Sequence, residues 1–315
     1  MKNTPTILSV HRGFDQQIYL NEDFATVETP AKLKGIELYP HQSVVVKAMM
    51  DIEDTRVINI DTNKFDNLTT DTVNIQSSAF VLSEPFGSGK TIDIIAWIML
   101  RPIPKAFPTN ANSITIKSEA YARYGPAALR PHDEQQISFK HEIVKRFTGN
   151  DSLIKPNLIV VGASVLTQWE NAIHDISPLK VMKIGNAHDL KKFQEFYNAG
   201  KLKALDIILL KNGTVTGNYE LENESSKEVG NYRSLITTIA SITRGSCWSR
   251  VIYDDFDTIK IPPGSYSIDA LFTVYVSATT KTGPMIKGFG HLIQYQSLLT
   301  AFNDRTIPLN AVIKD

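Results

Sequence analysis

Short runs of apolar residues alternate with longer amphipathic segments along most of the chain. Several runs are continuous stretches of Val, Ile and Leu, which is typical of strands buried on both faces of a parallel sheet. Helical spacing of apolar positions separates these runs. The predicted strands are 56–60, 72–75, 79–82, 157–161, 205–210, 250–253 and 271–276, and the predicted helices are 41–52, 90–100, 165–176, 189–199 and 232–243. This order predicts an α/β fold in which right-handed crossovers build one doubly wound, mainly parallel sheet.

Two stretches interrupt the alternation. Residues 102–156 carry repeated prolines among polar residues, and residues 212–231 are polar with an acidic middle. Polar, proline-containing or glycine-containing stretches of this length are typical of insertions and surface loops rather than of sheet elements. We therefore expect residues 1–315 to form a single lobe with insertions near 102–156 and 212–231.

Composition and charge exclude some classes of protein but do not identify a function. The 315 residues are 42% hydrophobic, and 33 basic residues balance 33 acidic ones, so net charge gives no argument for a nucleic-acid partner. Cys247 is the single cysteine, which excludes an internal disulfide and a cysteine-based zinc cluster and fits a reducing compartment. The longest apolar run, 94–100, is far shorter than the ~20 residues of a membrane span. We expect a cytoplasmic or nuclear protein, or one of a viral factory or virion, with no membrane partner.

The most specific chemistry lies in residues 79–91, AFVLSEPFGSGKT, where a buried strand leads through a glycine-rich turn into a helix. Gly87 and Gly89 permit backbone conformations that turn successive N–H groups inward, and the helix presents its positive end to an anion. Lys90 supplies a mobile cation to the β and γ phosphates, and the Thr91 hydroxyl can bind Mg²⁺. The segment predicts a nucleoside triphosphate cradle formed by Gly87, Ser88, Gly89, Lys90 and Thr91.

Glu84 departs from the common phosphate-loop pattern, which has glycine at this position. The run SEPFGSGKT instead resembles motif I of superfamily-two helicases, especially the Swi/Snf-type and viral transcription-factor ATPases. Upstream, LYPHQ at 38–42 precedes an amphipathic helix and resembles the Q-type motif, whose glutamine reads the adenine edge in that family. The resemblance implies that Gln42 binds the base of ATP, whereas Pro-His-Gln alone is more often only the first turn of a helix.

Residues 157–173, NLIVVGASVLTQWENAI, resemble motif Ia of the same family, with Gly162 where the family usually has proline. The turn 162–164 would offer backbone N–H groups and the Ser164 hydroxyl at a helix N-terminus, which suits contact with a nucleic-acid phosphate. Trp169 within this run is also expected to pack in the core. Residues 206–213 would form the next strand and a loop that faces nucleic acid.

Residues 250–257, RVIYDDFD, form an apolar run that ends in carboxylates and resemble motif II of the D-E-A-H class. The resemblance implies that Asp254 holds Mg²⁺ through its water shell. Asp255 stands where the family has the glutamate that positions the attacking water. Because aspartate is one methylene shorter, we expect water activation to be weaker than in the family.

Residues 274–279, VYVSAT, resemble motif III, which couples the ATP site to nucleic acid, and the resemblance assigns that role to Ser277 and Thr279. The five motifs occur in family order and imply a RecA-like P-loop NTPase lobe with ATP and Mg²⁺ as cofactors and with Lys90, Asp254 and Asp255 as catalytic residues. Nucleic acid is the implied partner, and we expect DNA rather than RNA.

The sequence after residue 279 is too short for a second RecA-like lobe, so we expect the first lobe of a motor that a second lobe completes in the full-length protein or a partner chain. The expected function is the ATP-binding lobe of a helicase-like DNA translocase used in viral transcription or genome processing, with the isolated chain inactive. The motif wording resembles helicase-like proteins of large nucleocytoplasmic DNA viruses.

Two other functions stay open. A non-catalytic RecA-like scaffold or interaction module is favoured by Glu84, by Asp255 in place of glutamate and by Asp257 in place of histidine. The intact GSGKT favours the ATPase. A P-loop kinase would leave the Q-type, Ia and III motifs without an explanation.

Overall fold

The computed structural model describes residues 25–55, 57–61, 72–76, 79–104, 153–216, 232–256, 258–259 and 268–278, and the backbone of short strands elsewhere. The helices are α1 (Pro40–Thr55), α2 (Lys90–Leu100), α3 (Leu166–Ile176), α4 (Ala187–Asn198) and α5 (Leu235–Ile242). The strands are β1 (Val10–His11), β2 (Asp15–Tyr19), β3 (Val57–Asp61), β4 (Thr72–Gln76), β5 (Ala79–Ser83), β6 (Ile114–Ile116), β7 (Gln135–Ile137), β8 (Leu153–Ile154), β9 (Asn157–Gly162), β10 (Val181–Ile184), β11 (Ile207–Asn212), β12 (Thr214–Thr216), β13 (Tyr232–Ser234), β14 (Cys247–Asp254), β15 (Ala270–Ser277) and β16 (Val312–Lys314).

The central sheet is RecA-like. Among the described residues its strand order is β1-β2-β16-β5-β15-β14-β9-β11-β10, with β8 also pairing with β14. The strands from β5 to β10 pair in parallel, so their carboxyl ends share one edge of the sheet. In parallel α/β sheets this edge is where ligands bind. β15 lies between β5 and β14, which brings the glycine-rich turn and the acidic turn to opposite sides of one strand end.

Helices cover both faces of this sheet, because each central strand is apolar on both sides. In β9, Ile159 and Val161 pack in the core under α1, α2 and α3, whereas Leu158 and Val160 pack in the core under α4 and α5. This alternation follows the two-residue period of a strand. The result is a three-layer α/β/α arrangement that holds the strand ends in fixed positions.

A buried ion pair ties helix α1 to the central sheet. The guanidinium of Arg250 in β14 donates from Nε and Nη2 to the two carboxylate oxygens of Glu53 at 2.6 and 2.7 Å, and both side chains are 0% exposed. A further guanidinium nitrogen donates to Asn157 Oδ1 at 2.9 Å, and the guanidinium lies 4.4 Å from the centre of the Trp97 ring. The pair therefore joins α1, α2, β9 and β14 at the edge of the sheet opposite the strand carboxyl ends.

Two expectations about the sheets were wrong. The predicted strands 56–60 and 72–75 belong not to the main sheet but to a separate antiparallel sheet of order β3-β4-β6-β7. The segment 102–156 contributes β6, β7 and β8, and the other segment begins with β12, which pairs with β13, so neither is only a loop. Strands this short are stabilised mainly by pairing with a neighbouring strand. They contain too few residues to show a hydrophobic period in the sequence.

Helix boundaries were predicted well where a glycine or a polar cap marks them. Helix α2 has the predicted bounds and begins after Gly89, whose φ of 97° only glycine adopts readily. The predicted helix 232–243 is wrong in its first residues, which form β13, and α5 follows. Strand β10 was missed because its four residues include an exposed-face lysine that breaks the apolar run. No helix in the described part of the chain is both long and apolar enough to cross a bilayer.

Candidate functional site

The carboxyl ends of the parallel strands bring the sequence-predicted residues to one edge. β5 leads to the glycine-rich turn, β9 to residues 162–165, β14 to Asp254 and Asp255, and β15 to Ser277. Helix α2 starts directly at this edge, so its first N–H groups face the space beyond the strand ends. Thr279 and Asp257 lie outside the described residues.

The glycine-rich turn has the backbone that an anion cradle needs. Gly87 and Gly89 have φ angles of 83° and 97°, in the left-handed region that glycine adopts without strain. Ser88 Oγ donates to Glu84 Oε2 at 3.1 Å. Lys90 Nζ donates to the carbonyl oxygens of Glu84 and Pro85 at 3.0 and 2.8 Å, so the lysine side chain curls back over its own loop.

Gln42 contacts this turn from helix α1. Its side chain is 1% exposed, and its Oε1 accepts from the backbone N–H of Tyr39 at 3.1 Å. A Cβ atom at residue 89 would lie 2.4 Å from Gln42 Nε2 and would displace the end of that side chain, and the φ of 97° itself favours glycine there. His41 Nε2 lies 3.1 Å from the carbonyl oxygen of Ser88, a second contact between α1 and the turn. The first residues of α1, which were predicted as a Q-type motif, therefore contact the glycine-rich turn.

Asp254 ends β14 and is held by a tryptophan from the neighbouring unit. Trp169 Nε1 donates to Asp254 Oδ2 at 2.7 Å, and the indole is 2% exposed. Burial raises the pKa of Asp254 from 3.8 to about 6, with the charge of Asp255 adding to the rise and the Trp169 hydrogen bond and the charge of Lys90 opposing it. Lys90 at the start of α2 and Asp254 at the end of β14 lie at the same edge of the sheet.

The turn after Asp254 is tied to the end of β15. Asp255 has a φ of 49°, the one positive φ at a non-glycine residue in the described part of the chain. Phe256 N donates to the carbonyl oxygen of Val276 at 3.1 Å, and Glu84 N donates to that of Ser277 at 3.3 Å. Ser277 is 1% exposed, so motif III lies beneath the site and contacts both the glycine-rich turn and the acidic turn through the backbone.

The turn after β9 has the exposure expected of a phosphate contact. Ser164 is exposed, and Gly162 is half-buried. A Cβ at residue 162 would meet only ordinary contacts at 3.9 Å, so glycine is not required there by space. Lys211, near the end of the neighbouring strand β11, is half-buried. The two strand ends are adjacent because Asn212 pairs with Gly162.

The residues present fit a nucleotide phosphate and Mg²⁺. Gly87 leaves open space on the turn, since a Cβ there would meet nothing within 4 Å. Mg²⁺ prefers oxygen ligands and keeps several waters, so one hydroxyl and one carboxylate are enough beside a phosphate. Thr91 and Asp254 supply these groups. The described residues contain no cluster of three or more His, Cys, Asp or Glu side chains that would bind a metal on their own.

We expect Asp254→Asn to stabilise the fold at neutral pH. The folded state binds the Asp254 proton more tightly than the unfolded state, so the native carboxylate loses stability as pH rises from about 4 to about 6, by up to ~3 kcal/mol. Asparagine keeps an acceptor for Trp169 and carries no charge. Urea unfolding should therefore show a gain of about 1–3 kcal/mol at pH 7.5 that shrinks towards pH 4.5.

The control for this prediction is Asp175→Asn, which removes one exposed carboxylate from helix α3. It accounts for the general effect of losing a negative charge. An equal gain for Asp254→Asn at both pH values would contradict burial of the charge as the cause.

Sequence reasoning missed the partner of Asp254. Trp169 was expected in the core, and it does pack there, but its N–H also contacts the acidic strand end. The available signal was that a buried indole N–H needs an acceptor, and the strand nearest to β9 ends in carboxylates. Tyr39 was also missed: it is 67% exposed and stacks on His41 with ring centres 5.9 Å apart.

Comparison with known proteins gives one significant sequence relative among curated proteins. The chain is 23% identical over 286 residues to a protein described as putative helicase R592 of Acanthamoeba polyphaga mimivirus. The aligned region covers 77% of this chain and 32% of that protein, so the chain spans about a third of the length of its relative. No protein-family model matches the chain.

Two solved structures share the general architecture at low similarity. One is a SWI2/SNF2 ATPase core of Sulfolobus solfataricus in complex with double-stranded DNA, at a TM-score of 0.44 and 15% identity, covering 93% of this chain and 47% of that one. The other is a nuclease-deletion mutant of the Type ISP restriction-modification enzyme LlaGI in complex with a DNA substrate mimic, at 0.33 and 11%, covering 82% and 20%. Likeness at this level does not extend to function.

The order of the motifs and the position of β15 between β5 and β14 resemble those of the helicase-like ATPase lobes of superfamily two. The sequence relative, which is described as a putative helicase, agrees with this resemblance.

Proposed function

We propose that the chain binds ATP with Mg²⁺ and acts as the first lobe of a DNA translocase. The observation that carries this proposal is the placement of Lys90, at the start of α2, and Asp254, at the end of β14, at the carboxyl ends of the two strands that flank β15. A phosphate loop and a metal-binding carboxylate on either side of one strand are the two parts that phosphoryl transfer needs.

Each residue has a distinct role in this proposal. Lys90 leaves the carbonyl oxygens of Glu84 and Pro85 and binds phosphate oxygens, which its flexible four-carbon stem allows. Thr91 and Asp254 hold Mg²⁺, which neutralises charge on the phosphates when bound. Asp255 orients the attacking water. Gln42 supports the turn through Gly89 and reads the adenine edge.

We propose that nucleic acid binds along the same edge at the ends of β9 and β11. The turn 162–164 offers N–H groups and the Ser164 hydroxyl, and Lys211 supplies a cation one strand away. Such groups contact phosphates, not bases, so binding is nearly independent of sequence. Ser277 and Thr279 link this edge to the nucleotide site. We propose DNA rather than RNA as this nucleic acid.

Binding to duplex DNA should fall steeply with salt. A site that contacts about three phosphates loses roughly 40-fold in affinity between 50 and 200 mM salt. Lys211→Ala should lower the slope of log affinity against log salt by about one, since one released counterion is lost. Fluorescence anisotropy with two unrelated duplexes measures both effects.

The matched control is Lys155→Ala, which removes an exposed lysine just before β9, at the opposite edge of the sheet. It should leave the slope unchanged. Binding that survives 200 mM salt, or that differs strongly between the two duplexes, would count against phosphate contact.

Motor activity is proposed for the complete protein rather than for these residues alone. The relative in mimivirus is about three times longer than the aligned region, which leaves room there for further lobes. We propose that a second RecA-like lobe, in the same polypeptide or in a partner chain, completes the nucleotide site. Only with this second lobe would ATP hydrolysis be coupled to movement on DNA, in viral transcription or genome processing.

A non-catalytic lobe is the second candidate, and one observation favours it. Asp255 is shorter than the family's glutamate, and its φ of 49° fixes an unusual backbone at the position that would orient water. A lobe of this kind would bind nucleotide and change partner contacts without turnover. Phosphate release from the completed two-lobe protein separates the two candidates.

A further inference from the structure

The contact between Trp169 and Asp254 joins two parts of the chain that are 85 residues apart. The indole N–H is a donor only, and the acceptor is one oxygen of the carboxylate proposed to hold Mg²⁺. The Nε1 to Oδ2 distance of 2.7 Å is at the short end for a hydrogen bond between a neutral N–H and a carboxylate. The terminal side-chain torsion of an aspartate is broad, so a hydrogen bond to one carboxylate oxygen also fixes where the other oxygen points.

The indole is held firmly by its own surroundings. Trp169 is 2% exposed and packs in the core formed by α1, α2, α3 and the sheet. Its backbone N–H donates to the carbonyl oxygen of Val165 at 2.9 Å, and Val165 N donates to that of Gly162 at 3.2 Å. The ring position is therefore tied to the turn 162–165, at the start of helix α3.

The same turn is the proposed contact for a nucleic-acid phosphate. A shift of this turn moves the first residues of α3, and Trp169 lies in the first turn of that helix. The shift then changes the indole contact with Asp254 at the metal site. Packed elements carry such displacements as units, since the interior between them is dense.

We propose that Trp169 is a positioning residue for the Mg²⁺ site, and that its N–H links that site to the nucleic-acid edge. The proposal rests on the proposed binding of ATP with Mg²⁺. Trp169 would act through Asp254: by holding Oδ2 it fixes the orientation of the carboxylate that would take part in holding Mg²⁺.

The test is Trp169→Phe, which keeps an aromatic ring in the core and removes only the N–H and part of the indole. Calorimetry measures ATP binding by the 315-residue chain across a Mg²⁺ titration and again in EDTA. Loss of one hydrogen bond to a charged group should weaken the Mg²⁺-dependent part of binding about tenfold and leave binding in EDTA unchanged. A structural role alone would change both equally.

Trp248→Phe is the matched control. Trp248 is also buried, and its Nε1 donates to Thr243 Oγ1 at 3.3 Å in the core on the other face of the sheet. This variant should leave the Mg²⁺ dependence unchanged. Thermal unfolding of both variants shows whether each is folded at the temperature of the titration.

A double-mutant cycle keeps the proposal testable if Trp169→Phe loses stability. In the Asp254→Asn background, Trp169→Phe should not change the Mg²⁺ dependence further, because the two residues act through one contact. Equal Mg²⁺ dependence in Trp169→Phe and Trp248→Phe would overturn the positioning role while leaving ATP binding intact. Absence of ATP binding by the unsubstituted chain would overturn the proposed function and this inference together.

Discussion

Replacing Arg250 with methionine is expected to destabilise the fold by about 3–5 kcal/mol, because it leaves the fully buried Glu53 carboxyl group without its partner. Burial lowers the pKa of Arg250, and the Glu53 carboxylate opposes this by holding the guanidinium with two hydrogen bonds. The loss also removes the cation from the Trp97 ring. Equilibrium unfolding in urea at neutral pH measures the change.

Two further variants separate the buried pair from charge in general. Arg101→Met removes an arginine that pairs with Asp54 nearer the surface and should cost no more than about 1 kcal/mol. The double variant Glu53→Met, Arg250→Met should recover much of the loss, since apolar side chains of similar volume can replace a buried ion pair. A single Arg250→Met variant as stable as Arg101→Met would contradict the account of this network.

The 315-residue chain alone is expected to hydrolyse ATP at least 10³-fold more slowly than a complete two-lobe motor. An arginine that stabilises the transferring phosphoryl group contributes ~10³ to 10⁵ in rate. In the described part of the chain, the arginine side chains are elsewhere: Arg250 and Arg101 pair with carboxylates on α1, and Arg244 precedes β14 at the opposite edge. Asp255, one methylene short, lowers the expected rate again.

Steady-state phosphate release, with and without duplex DNA, measures this rate, and Asp254→Ala gives the background. The expected result is release indistinguishable from that background under both conditions. DNA-stimulated turnover above about 1 s⁻¹, lost in Asp254→Ala, would show that an arginine within these 315 residues completes the site.

The middle strands of the central sheet could be predicted from the sequence because buried parallel strands read as continuous apolar runs. The observed ends lie within three residues of the predicted ones for β9, β14 and β15, and also for the helices between them. The partition of strands between two sheets could not be predicted. Strand β3 is rich in Val and Ile like the main strands, and nothing in its own residues specifies antiparallel pairing with β4.

The conformation of the glycine-rich turn could be predicted from its own residues, whereas its contacts with distant residues could not. Left-handed glycines and the following helix are local features, so Gly87 and Gly89 could be assigned from spacing alone. The contacts of Gln42 with the turn and of Trp169 with Asp254 join residues 47 and 85 positions apart. Only the packing of helices against the sheet brings such residues together, and a single sequence carries no direct record of it.

We expect the glycine-rich turn to bind nucleotide phosphates through Lys90, and calorimetric titration of MgATP measures this binding directly. The expected result is binding by the unsubstituted chain, at least tenfold weaker binding by Lys90→Ala through loss of a charge-assisted contact, and unchanged binding by Lys155→Ala at the opposite edge of the sheet. Equal affinity of Lys90→Ala and the unsubstituted chain for MgATP would contradict it.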